Sequence, residues 1–410
     1  MFLPLSSLLP KLFATLFLGV LMLNKKHYSV MKQLFATLFL GVLMLPAAAS
    51  NQGVLPQRVA QQPKAAKQNG LMLDTARRFY SAGEIRQFID MLAAAGGQFL
   101  HLHFSDDENY ALESPLLGQT TASARRDGNG VYTNPATGRP FLSFKQMRGL
   151  VRYAESKKIE LVPEIGSPAH VGGILTLLKH KHGQDYVRQL QPETAAGEID
   201  IANPESVRLV KALLDEAAEV FNRSRHFHIG GDEFGYSPES NHKFIGYANT
   251  LAAHLAGKGL KTRLWNDGLI NSTLGQLNRS IEITYWSYDG DPADPEAARY
   301  RRSIRAGLPE LAAKGFSVLN YNSYYLYLVP NGKRNFPHDA AFSAQDIQKR
   351  WHLGVWDGEN TANAADTAKI TGAALAVWGE NSRGLSNETL RRHIAAPLRA
   401  MINKTKTAKP

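Results

Sequence analysis

His226-Phe227-His228-Ile229-Gly230-Gly231-Asp232-Glu233 reads as a short buried strand that opens at two glycines and delivers two adjacent carboxylates. The run up to Ile229 has a strand's length and composition, and the glycines let the backbone turn where it ends. Carboxylates in such a place carry a desolvation cost unless something binds them. Paired acids there can act as proton donor and charge stabiliser, the two roles that cleavage of a sugar acetal requires. The plainer alternative makes Asp232 the cap of a following helix, with Glu233 in its first turn.

Outward from this stretch the same beat recurs. Short apolar runs lie at Leu71–Asp74, Phe99–Asp106, Ile159–Ile165, His226–Glu233, Thr262–Asp267, Ile281–Asp289, Ser317–Tyr325 and Ala373–Glu380. Helical spacing fills the intervals at Ala82–Ala95, Ser143–Lys157, Pro204–Phe221, Pro238–Lys258 and Leu308–Lys314, with a last helix over Asn387–Lys404. Such alternation predicts a single (β/α)8 TIM barrel over residues 70–404, followed by a short tail over 405–410.

In such barrels chemistry sits at the C-terminal ends of the strands. Those ends carry Asp74 and Arg77, Asp106, Glu164 with His170, Asp232-Glu233, Trp265 with Asp267, Trp286 with Asp289, Tyr321 to Tyr327, and Trp378 with Glu380. Three of the five tryptophans fall there, which packing alone does not explain. Indoles interleaved with acids suit a sugar, whose apolar ring face meets an aromatic while its hydroxyls meet carboxylate and arginine. Long segments on the same side (Glu108–Leu142, Gly166–Ala202 with its own short helix, and polar Leu328–Phe342) are usually functional in a compact domain.

The chain's beginning predicts export. Leu12–Leu23 recurs letter for letter as Leu34–Leu45, each copy too short to span a bilayer and shaped like the core of a signal peptide. Met31-Lys32 offers a start and Ala47-Ala48-Ala49 a cleavage site, so residues 1–49 read as signal region and 50–69 as a linker rich in Gln, Ala and Lys. A membrane hairpin of the two copies is the alternative, made costly by Lys25-Lys26-His27 between them. There is no cysteine, which excludes disulfides, thiolate metal sites, a thiol nucleophile and a lipidated cysteine. Without the four lysines of residues 1–49 the formal charge falls from +11 to +7. That charge favours anionic surfaces, but no basic stripe interleaved with aromatics predicts specific nucleic-acid reading.

The strings GLMLDTARRFYS (70–81), FLHLHFSDDENYALES (99–114), HFHIGGDEFGYSPESNH (226–242), GLKTRLWNDGLI (259–270), IEITYWSYDGD (281–291), FSVLNYNSYYLY (316–327) and LGVWDGEN (353–360) resemble the glycoside hydrolase family 20 β-N-acetylhexosaminidases. The similarity runs from Gly70 to Lys404, and with only a linker before the barrel it is greatest to the single-domain, matrix-degrading branch. The resemblance implies a secreted, monomeric enzyme without cofactor or metal that cleaves β-linked N-acetylglucosamine, with β-1,6 poly-N-acetylglucosamine of biofilm matrix as substrate. It implies retaining, substrate-assisted catalysis, in which the sugar's own acetamide oxygen attacks the anomeric carbon. On that pattern Glu233 is the acid/base, neutral at the outset, and Asp232 stays ionised on the acetamide N–H. Tyr327 orients the acetamide oxygen, Trp265, Trp286 and Trp378 wall the sugar, and Arg77 with Glu380 hold its hydroxyls. Asp106 and His170 belong to the polar rim, and Tyr236 and Asp294 to outer subsites. Gly166 is a departure: family members commonly carry an aspartate there, which leaves the orientation of His170 open.

Two rivals remain at this point. His101-x-His103 and His226-x-His228 each put two imidazoles on one strand face, as a metal-dependent amidohydrolase or deacetylase would need. A non-catalytic polysaccharide-binding protein could use the aromatic mouth alone.

Overall fold

The computed structural model describes residues 66–290, 294–358, 360 and 362–408. The expected signal region, most of the linker and the last two residues lie outside them. Among the described residues eight parallel strands close into a barrel. They are β1 (Gln68–Asp74), β2 (Phe99–His103), β3 (Glu160–Ser167), β4 (His226–Gly230), β5 (Lys261–Trp265), β6 (Glu282–Tyr285), β7 (Ser317–Asn320) and β8 (Ile370–Val377). Each pairs with the next in sequence, and β1 pairs with β8 over Gln68–Leu73 to complete the ring.

Around it lie α1 (Ala82–Ala95), α2 (Phe144–Ser156), α3 (Gly172–His182), α4 (Gln184–Leu190), α5 (Pro204–Val220), α6 (Asn241–Ala256), α7 (Pro295–Ile304), α8 (Leu308–Ala313), α9 (Ser323–Leu326), α10 (Phe336–Arg350) and α11 (Asn387–Thr407). Local chemistry starts them: Ser81 with Glu84 and Ser143 with Gln146 form reciprocal capping boxes, and Asn203 caps α5 ahead of Pro204. The large apolar core lies between sheet and helices, while a smaller cluster including Met72, Phe99, Val162, Trp265, Leu319 and Tyr321 fills the barrel itself.

Register explains an unusual interior. Asp74 pairs with His103, His103 with Glu164, Glu164 with His228, His228 with Arg263, and Arg263 with Glu282. In-register residues of parallel strands face the same side, so these six polar groups form one slanting row inside the barrel. The row runs from Asp74 at the mouth end of β1 down to the Arg263–Glu282 pair, which meets Gln68 at its start. Arg263, fully buried, bonds Glu282 (2.7 Å) and Gln68 (2.9 Å).

Several boundaries differ from those read in the sequence. Strand β1 begins at Gln68, inside the expected linker, because Gln68 pairs with Gly372 of β8. Strand β4 stops at Gly230, since Gly230 (φ 79°) and Gly231 (φ 89°) leave extended geometry. No helix starts at Asp232, for α6 begins at Asn241, so the capping alternative fails. Strand β6 ends at Tyr285, where the Trp286 N–H turns to the Asn266 side chain (2.8 Å). Strand β7 ends at Asn320, and the Asn322 side chain then caps α9. After α9 the chain returns to the wall, where Tyr327-Leu328 pair with Ala376-Val377 at the tip of β8. The segment read as a polar loop to Phe342 is helical from Phe336, and Gly166–Ala202 holds two helices rather than one. No helix among the described residues is long and apolar enough to cross a membrane.

Candidate active site

At the C-terminal mouth a cavity of about 520 Å³ is lined by Arg77, His170, Asp232, Glu233, Trp265, Trp286, Tyr327, Trp378 and Glu380, together with Gly290, Ser323 and Val329. Nine of the twelve residues singled out in the sequence therefore meet around one space of monosaccharide-binding size.

The turn after β4 places the acid pair. Gly230 packs so tightly that a Cβ there would lie 2.6 Å from the Gly166 Cα at the tip of β3. The backbone then rises through Asp232 to Glu233, itself left-handed at φ 52°. Non-glycine residues in that region are strained, and such strain concentrates at functional sites. Asp232 turns inward (17% exposed), whereas Glu233 stands at the lip (58% exposed).

His170, also left-handed at φ 55°, bridges Glu233 (Nε2–Oε2 3.0 Å) and Asp107 (Nδ1–Oδ2 3.3 Å). Its orientation is thus set without a carboxylate at residue 166. A Cβ on Gly166 would meet Ser105 Oγ at 3.6 Å, ordinary contact, so packing does not impose the glycine. Asp107 was missed in the sequence; the Asp106-Asp107 doublet was visible, but not which member faces outward.

Protonation of the acid pair departs from expectation. The hydrogen bond from His170 holds the Glu233 carboxyl below its ordinary value, while burial pushes Asp232 up to about 7. His170 is raised to about 10, first by its bond to Glu233. Without substrate Glu233 is therefore the ionised member of an ion pair, and the proton expected on it resides on the adjoining imidazole. An exposed carboxylate beside an imidazole keeps its charge, and burial raises the pH at which its neighbour ionises.

Trp265 forms the floor, fully buried, its indole N–H donated to Glu164 (2.8 Å). Trp286 donates to Asp267 (2.5 Å). Tyr327 stacks on Trp286 (centroids 5.9 Å, 10°) and meets Trp378 edge-on (5.4 Å, 60°). Arg77 is clamped by Asp74 (3.2 Å), Asp106 (2.7 Å) and Glu108 (3.4 Å), and lies over Trp378. Burial raises the Glu380 carboxyl.

Three expected contacts are not at the cavity. Asp106 is buried beneath it, joining His103 to Arg77. Tyr236 turns its hydroxyl to Asp267 (3.2 Å) under the Arg305 guanidinium. Asp294 accepts the Glu296 and Ala297 N–H groups as the cap of α7, a role open to any aspartate ahead of a proline-led helix.

The histidine pairs do not join. His226 lies at the opposite end, 2.9 Å from Glu160. His101 and His228 flank Glu164 with ligand atoms within 4.8 Å of one another. Glu164 is fully buried under Trp265, however, and both His228 nitrogens are engaged, Nε2 with Thr284 Oγ1 and Nδ1 with the Gly230 N–H and Glu164 Oε1 (3.0 Å). Such a cluster offers no open coordination position of the kind a catalytic zinc keeps.

A closed (β/α)8 barrel with an acid pair under an indole-walled cup defines a glycoside hydrolase. The model for glycosyl hydrolase family 20, catalytic domain, matches residues 68–396, and the chain belongs to that family. It is similar to the crystal structure of Dispersin B at 53% identity, over 83% of this chain and 99% of that one, with a TM-score of 0.81. A pneumococcal StrH catalytic module, at 20% identity and a TM-score of 0.64, shares the fold. Among sequences it is similar to a beta-hexosaminidase of Porphyromonas gingivalis (30% over 195 residues, 45% of this chain). It also matches a lacto-N-biosidase of Bifidobacterium bifidum (24% over 279 residues, 63% of this chain). The chain spans about a quarter of the length of these two relatives (24% and 23%).

Proposed function

We propose that this protein hydrolyses β-linked N-acetylglucosaminides with retention, using the substrate's acetamide as nucleophile, and that its substrate is β-1,6 poly-N-acetylglucosamine of biofilm matrix. The observation that carries this is Asp232 and Glu233 side by side at one cavity with Tyr327 and three indoles. The likeness to Dispersin B supports the polymer, and the repeated apolar segment supports export. We take the enzyme to act outside the cell as a monomer.

A bound sugar reverses the resting protonation. The acetamide N–H donates to Asp232 and favours its ionised form, Asp232 releasing its own proton to solvent as the sugar binds, and the carboxylate then offsets positive charge developing on the ring. The leaving group covers Glu233 and removes the water that stabilises its charge. The proton then passes 3.0 Å from His170 Nε2 to Glu233, with none drawn from solvent. Glu233 gives it to the glycosidic oxygen as the acetamide oxygen closes on the anomeric carbon. In the second step Glu233 takes a proton from the water that opens the oxazolinium ring. Tyr327 keeps its hydroxyl proton, burial having raised its pKa, and so can donate to the acetamide oxygen.

Digestion of defined 1,6- and 1,4-linked N-acetylglucosamine oligomers, with product analysis, tests this reading. Cleavage of the 1,6 series with β-configured first product is expected. Failure on both, or an α-configured first product, refutes it.

A further inference from the structure

We infer that His103 is a doubly protonated imidazolium locked between two buried carboxylates, and that it is a positioning residue for Arg77 and His170. The second half rests on the reading of the cup as a sugar site. The first does not.

His103, 1% exposed on β2, has Nδ1 2.6 Å from Glu164 Oε2 and Nε2 2.9 Å from Asp106 Oδ2. An ionised carboxylate only accepts hydrogen bonds, so satisfying both contacts requires a hydrogen on each ring nitrogen. The neighbours leave this role to His103. His228 meets a carboxylate at one nitrogen only, with Nδ1 3.0 Å from Glu164 Oε1 and 3.1 Å from the Gly230 nitrogen, and Nε2 2.8 Å from the Thr284 hydroxyl. His101, on the same strand, is lowered to about 4 by burial. Asp74 faces His103 from β1, and the Trp378 indole meets it edge-on from the end of β8 (5.5 Å, 74°).

Asp106 carries the effect outward. The same Oδ2 that meets His103 lies 2.7 Å from Arg77 Nη2, while Oδ1 accepts the Asp107 N–H (2.7 Å) and lies 3.8 Å from His170 Nδ1. Glu164, His103, Asp106, Arg77 and Asp74 thus alternate in charge from the barrel interior to its mouth. Removing the central cation would set Glu164 and Asp106 against each other with no counter-charge between them. Asp106 would lose one of the two cations that aim it, and Arg77 and His170 would lose their common support.

Nitrogen NMR on wild-type enzyme labelled in histidine reads the first half without any variant. The expected result is one ring, identified by its contacts to the Trp378 indole, with both N–H protons retained from about pH 5 to 9. A single N–H on that ring overturns the proposal. For the second half, His103→Asn and Asp106→Asn, checked for folding by near-ultraviolet circular dichroism, should each weaken N-acetylglucosamine binding about tenfold or more. They should raise KM by a larger factor than they lower kcat. Either variant binding within about twofold of wild type overturns the positioning role. If wild type itself binds no N-acetylglucosaminide, the sugar-site reading fails, and two retained N–H protons still support the charge lock.

Discussion

Replacing His170 by glutamine should lower activity at every pH, because it removes the group that stores the proton Glu233 must donate. Catalysis needs Asp232 ionised and a proton available to Glu233. In the intact site Asp232 ionises above about 7, and the His170–Glu233 pair keeps its proton up to about 10. Both conditions therefore hold between those values, and kcat/KM should show a plateau there, since its limbs report free-enzyme groups. In His170→Gln, Glu233 loses its neighbouring proton store, and its own carboxyl rises as the hydrogen bond that lowers it is removed. Asp232 loses a nearby positive charge and stays at or above about 7. Glu233 must then take its proton from solvent in the same range where Asp232 has to be ionised, so the two requirements oppose each other. Peak kcat/KM should fall about 10²-fold or more, the share a positioned proton donor supplies, and the plateau should narrow to a bell. Initial rates on a chromogenic N-acetylglucosaminide across the pH range decide it. A variant within about threefold of wild type at its own optimum, or a wild-type profile that stays flat well below neutrality, would refute the reasoning.

Stability should follow the same imidazole: its raised pKa contributes fully below the unfolded value of ~6.5 and is lost as pH rises through about 10, so His170→Gln should cost most in acid and least in strong base by chemical denaturation. Glu233→Gln should lower turnover by orders of magnitude while equilibrium binding of polymer persists; Asp232→Asn with wild-type turnover on acetylated substrate would rule out acetamide participation. Trp265→Phe leaves Glu164 Oε1 without its indole donor and should cost about 1–3 kcal/mol in denaturant unfolding. Gly230→Ala adds a Cβ 2.6 Å from the Gly166 backbone at positive φ, and soluble yield should drop sharply. Exhaustive chelation should leave turnover unchanged; loss restored by zinc would favour the metal-dependent rival.

The barrel was legible because its determinants are local and periodic. Each apolar run followed by a helical stretch, with caps such as Ser81-x-x-Glu84, can be read a few residues at a time. The adjacent acids after Gly230-Gly231 and the indoles at strand ends were likewise visible as residue types at the right places. Strand ends were overextended, because the backbone N–H groups of Trp286 and Asn322 leave the ladder for the side chains of Asn266, 20 residues back, and Asn320, two residues back. The fates of Asp106, Tyr236 and Asp294 depended on the same kind of contact: one carboxylate is sealed under Arg77, one hydroxyl turns to Asp267, and one aspartate caps a helix. Protonation was decided last and by tertiary structure alone. Two neighbouring carboxyls have similar intrinsic acidity, and only the approach of His170 from β3 and the depth of the cup determine which of them holds charge.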